Sequence, residues 1–137
     1  MVELPVPATD AIDARLREAE AIQHSDYGRL EALADEITEL AARARLPVKA
    51  AEALTYKAWA RLHLHDSDSA IRAALDALII AREHHADRVE HRALLALSVV
   101  FDRGGLPEEA LRLHKLQLDI VERLGDPYQR ASILNNI

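Results

Sequence analysis

The chain has 137 residues, a net charge of −6 and a pI near 5.6, and half of its residues are apolar although only 4% are aromatic. That length suits one domain able to close a core without staples, and the acidic balance argues against nucleic acid or an anionic membrane surface as a partner. The absence of cysteine removes disulfides, thiolate metal sites and cysteine nucleophiles together, and fits a reducing compartment.

A core that must be built from Ala, Leu, Ile and Val, with 4 Gly and 5 Pro in the whole chain, favours helices over strands. The fold class expected is therefore all-α. The amino terminus has neither a basic n-region nor an apolar h-region. The longest uncharged apolar run, at 77–81, is far below the ~20 residues that span a bilayer. A cytoplasmic protein without a membrane partner is expected.

Taken in order, the elements repeat every 40 residues. Pro7, Pro47 and Pro127 share one register and Asp87 fills the remaining slot, all residue types favoured at helix starts. Core positions keep the same offset: Leu30, Ala70 and Ala110; Leu33, Ala73 and Leu113; Leu40, Ile80 and Ile120; Ala41, Ala81 and Val121. The units run 7–46, 47–86 and 87–126, with a partial unit at 127–137. Each reads as two helices. First helices are expected at 9–23, 48–64, 88–103 and 128–137, and second helices at 27–44, 69–84 and 108–124, about seven in all. Stop and start chemistry separates them at Ser25-Asp26, Asp66-Ser67-Asp68, Gly104-Gly105-Leu106-Pro107 and Gly125-Asp126-Pro127. Connections this short make consecutive helices antiparallel.

In the third unit, Leu94, Leu97, Ser98, Phe101, Gly105 and Ala110 stand at the spacing of the tetratricopeptide pattern, and Leu54, Ala58, Ala70, Ala74 and Ala77 follow it in the second. The chain resembles the tetratricopeptide-repeat family, in the long-repeat variety of bacterial signalling proteins. It departs from the pattern at Ala14, Arg17 and Ala21, at Lys57 and Arg61, and at His114 and Glu122. The resemblance implies a right-handed superhelix, an α-solenoid of antiparallel helical hairpins. It also implies a non-catalytic scaffold or regulatory module without cofactor, attached to an effector such as a diguanylate cyclase, a kinase or a transcription regulator. Its groove would take a protein or peptide partner, with Thr55, Trp59, Arg92, Leu95, Val99 and Asn135 facing the ligand.

A solenoid end should be polar, yet Ile133, Leu134 and Ile137 open a helix that has no second member. Two expectations follow. The chain is the amino-terminal piece of a longer protein, or these residues form an open-end interface with a second copy, giving a homodimer.

Catalytic motifs are sparse. No phosphate-binding loop, dinucleotide fingerprint, nucleophile elbow or zincin motif occurs, and Gly104-Gly105 reads as a helix-capping turn. Two alternatives rest on the seven histidines. A small-molecule or metal sensor would use His63 and His65, or His84, His85 and His91, but a metal site needs its ligands to converge within ~2.0–2.2 Å of one point. His65-Asp66 is similar to the paired ligands of HD-type metal-dependent phosphohydrolases, against which Asp66 also suits a helix N-cap.

Overall fold

In the computed structural model of the chain, residues 6–125 are described, with side chains from residue 9 onward. Six helices follow one another: α1 (Val6–Ile22), α2 (Tyr27–Arg43), α3 (Pro47–His63), α4 (Ser67–Glu83), α5 (Asp87–Arg103) and α6 (Pro107–Leu124). The expected seventh helix at 128–137, with Ile133, Leu134, Asn135 and Ile137, lies outside the described residues.

From α2 onward each helix starts 20 residues after the last, because one turn is used four times. At the end of α2, Arg45 N–H donates to Ala42 O (3.2 Å) and Leu46 N–H to Ala41 O (2.9 Å). The same two bonds recur 20, 40 and 60 residues on, through His65 and Asp66, His85 and Ala86, and Gly105 and Leu106. This is the Schellman arrangement, which satisfies carbonyls that the helix end leaves without partners. It requires a left-handed residue, and φ is +55° at Arg45, +63° at His65, +52° at His85 and +77° at Gly105. The residue closing each turn is also the N-cap of the next helix. At Asp66 the side chain accepts from Ser69 N–H (3.1 Å), and those bonds to Ser69 hold its carboxyl below the usual range. Pro47 and Pro107 instead remove a donor that would have no helical acceptor. The α1–α2 connection is one residue longer and is capped by Asp26, whose side chain accepts from Arg29 N–H (3.0 Å).

Each helix packs on its predecessor and successor in the chain; α3 also touches α1 and α5, whereas α2, α4 and α6 do not touch one another. The first-helix layer is thus the tighter one, and the array of hairpins bends around it. These features define an all-α solenoid of antiparallel helical hairpins. One core joins α1, α2 and α3 through Ile12, Leu16, Leu30, Leu33, Ile37 and Tyr56. The next joins α3 to α6 through Ala58, Ala74, Ala77, Leu94, Leu97 and Ile120. Ala58, Ala70, Ala77, Ser98 and Ala110 are all buried, so small residues stand where helices cross most closely. His114, a departure from the repeat pattern, is buried as well and donates from Nδ1 to Gln117 Oε1 (3.0 Å).

The junctions between hairpins differ chemically. Between the first and second, Lys57 pairs with Asp35 (2.8 Å) and Arg61 with Glu31. Forty residues later the same four positions are Leu97, Leu75, Phe101 and Ile71, all apolar.

Candidate interaction groove

On the inner layer, α3 and α5 meet the long α1–α2 connection. On α3, Thr55 and Trp59 are one turn apart; on α5, Arg92, Leu95 and Val99 repeat at three and four residues. Helical spacing therefore puts each set on one face.

A cavity of about 210 Å³ lies between these faces, lined by Thr55 and Trp59 from α3, by His91, Arg92 and Leu95 from α5, and by Gln23 and His24 from the connection. Four of the residues expected at a ligand face are thus brought together. Val99 packs instead in a small cluster with Leu62, Ala70 and Val100, against which Trp59 also rests. Asn135 lies outside the described residues.

Polar contacts fix the cavity wall. Thr55 hydroxyl donates to Glu52 O (2.6 Å) and accepts from Arg92 Nε (3.1 Å). The Arg92 guanidinium lies 4.0 Å from the centre of the Tyr56 ring, a cation–π contact. Burial raises the Tyr56 hydroxyl above its ordinary value, and the Arg92 charge acts in the opposite direction. Arg92 is thereby held by one nitrogen and one face of its guanidinium, and among the described residues nothing accepts from its terminal N–H groups.

Trp59 is half-buried, and its Nε1–H donates to Gln23 O (3.1 Å), tying α3 to the longer connection. His24 meets the indole edge-on at 5.8 Å, while His63 lies 4.5 Å from it and stacks on Tyr27 at 4.4 Å. His63 Nδ1 is 2.9 Å from the Trp59 carbonyl, which makes that nitrogen the donor. The sole tryptophan is consequently a pre-set, rigid wall. An adjoining cavity of about 270 Å³ shares His91 and Arg92 and adds Glu20, Glu52, Tyr56 and Arg88, so charges of both signs line the inner surface.

Three of the remaining histidines belong to turns. His65 and His85 are exposed left-handed residues, and His84 caps α4 with its backbone N–H donating to Ile80 O (3.1 Å). His63 belongs to the aromatic cluster and His91 is buried on α5. Among the described residues no three His, Asp or Glu side chains are grouped so as to hold a metal ion. Asp66, beside His65, is occupied as an N-cap and by Arg61 (3.4 Å).

The residues of this site that sequence reasoning missed are Gln23, His24 and Tyr56, whereas His91, singled out as a sensor ligand, was not expected at the groove. The extra residue in the α1–α2 connection was the available signal for the first two, since it brings the chain back over α3. No protein-family model matches the chain, and no curated protein sequence matches it.

Proposed function

We propose that the chain is a non-catalytic protein-interaction module of the tetratricopeptide type that holds a partner segment in its inner groove. The observation that carries this reading is the cavity shared by Thr55, Trp59, Arg92 and Leu95. A rigid aromatic wall, an aliphatic neighbour and free guanidinium donors are the kinds of group from which peptide hot spots are built. Filling the groove would bias the angle between hairpins, and so the presentation of an attached effector, by differential binding. A bacterial signalling role in the cytoplasm is the setting that the repeat resemblance and the lack of cysteine support.

The test is a random-peptide display library panned on the immobilised chain, with recovered peptides titrated against the fluorescence of Trp59. Binding is expected to fall at least ~10-fold in Leu95→Glu and in Arg92→Ala, with helical content unchanged. Recovery of no peptide, or of peptides indifferent to both substitutions, would refute the groove.

A further inference from the structure

The outer face of α4 carries a pattern that its sister helices lack. Arg72, Leu75, Ile79 and Glu83 succeed one another at three and four residues, forming one stripe about three turns long. Leu75 is 44% exposed and Ile79 58% exposed.

The 40-residue repeat supplies its own control. The corresponding positions are Ala32, Asp35, Glu39 and Arg43 on α2, and Arg112, Lys115, Asp119 and Arg123 on α6. There the charges are largely spent inside the chain: Asp35 on Lys57, Glu39 on Arg43 (2.5 Å), Arg112 on Glu109 (2.8 Å) and Arg123 on Asp87 (3.2 Å). On α4 the two central positions are apolar, and neither Arg72 nor Glu83 forms an ion pair among the described residues. Arg82, beside the stripe, is held by Glu90 at 3.1 Å.

We propose that this stripe is a self-association surface and that its occupant is the α4 stripe of a second copy of this chain. Read along the helix, the order is positive, apolar, apolar, negative. A two-fold axis crossing the stripe between Leu75 and Ile79 sets α4 antiparallel to itself. Arg72 then faces Glu83 of the second copy, and Leu75 faces its Ile79, each contact occurring twice. Self-complementarity of this kind is what an isologous interface requires. Parallel pairing of the same stripe would oppose like charges. The apolar part is short, so the dimer is weak and salt-sensitive.

Sedimentation equilibrium of the full chain at low salt, from ~10 μM to ~1 mM, tests this. A concentration-dependent dimer is expected that weakens at high salt. The double variant L75D/I79E installs on α4 the residues that α2 carries at the same positions, and should weaken the dimer at least ~10-fold with unchanged helical content. Glu83→Arg should weaken it although it lowers the net negative charge, and R72E/E83R should restore it because the stripe then reads in reverse order. A monomer at every concentration overturns the proposal, as does a dimer indifferent to L75D/I79E. So does a charge-reversed double variant no tighter than Glu83→Arg.

Discussion

The four equivalent turns make a graded experiment possible, because three of them hold a side chain where the backbone favours glycine. A left-handed conformation costs a residue with a Cβ roughly 1–2 kcal/mol. Replacing it by Gly also frees the unfolded chain, which gives back about 0.4–1 kcal/mol. The net gain at Arg45, His65 or His85 is therefore ~0.5–1 kcal/mol each. Among the described residues none of these exposed side chains makes a hydrogen bond or ion pair that the substitution would remove. The sites stand 20 residues apart in separate turns, so the effects should add, and the triple variant should gain ~2 kcal/mol. Urea unfolding followed by helical circular dichroism reads this directly: with a slope of about 2 kcal/mol/M, the midpoint rises by ~1 M at constant slope. The converse change, Gly105→Ala at φ +77°, should lose ~1 kcal/mol. Three glycine variants that are neutral or destabilised, or a Gly105→Ala protein as stable as its parent, would refute the reasoning. A loss of stability at His65 or His85 alone would mean that the imidazole contributes something beyond turn geometry.

Two further outcomes follow from the core. Ala58 is fully buried where α3 crosses its neighbours, and Ser98 occupies the same place one unit later with its hydroxyl donating to Leu95 O (2.8 Å). Ala58→Leu should cost ~2 kcal/mol in urea unfolding by overpacking, while Ala58→Ser is accommodated; a stable Leu variant would show that the crossing is looser than described. Tyr56 has its hydroxyl raised mainly by burial, so its contribution to stability is complete below the ordinary tyrosine value near 10 and is lost as pH rises through the higher folded value. Alkaline titration should accordingly show part of the tyrosinate absorbance of the folded chain developing only above 10, and Arg92→Ala should push that part higher; a single transition at the ordinary value refutes it.

The helices were legible because proline, aspartate and glycine mark their ends and apolar residues recur at helical spacing. Asp66 and Gly105 do at the turns what their chemistry predicted. The finer period of 20 was hidden. Its marker is a left-handed φ, which Gly105 and Gly125 advertise but which Arg45, His65 and His85 adopt without the residue type that would reveal it. The same concealment made His65 and His85 look like candidate ligands when they are turn residues. Thr55, Trp59, Arg92 and Leu95 were legible as a set because helical spacing fixes faces. What holds them was not: Trp59 bonds to a backbone carbonyl in the connection, and Arg92 stacks on Tyr56, contacts between segments 36 residues apart that leave no periodic trace.

Uniform turns also explain how the surfaces can be assigned different tasks. Because the four turns from α2 onward close through the same pair of backbone bonds, side chains on the outer faces are free to vary without altering the pitch. The first junction uses that freedom for ion pairs, Lys57 with Asp35 and Arg61 with Glu31. At the second, apolar residues fill the equivalent positions: Leu97 is buried into the core, whereas Leu75 is left 44% exposed. Exposed ion pairs contribute ~0–1 kcal/mol each, so the exchange of charge for aliphatic side chains is nearly neutral for the fold. It is far from neutral for the surface, since an ion pair occupies its charges internally and an exposed Leu beside unspent Arg72 and Glu83 does not. The inner layer, built on Trp59 and Arg92, and the outer stripe of α4 therefore lie on opposite sides of one solenoid. Occupying one leaves the other open.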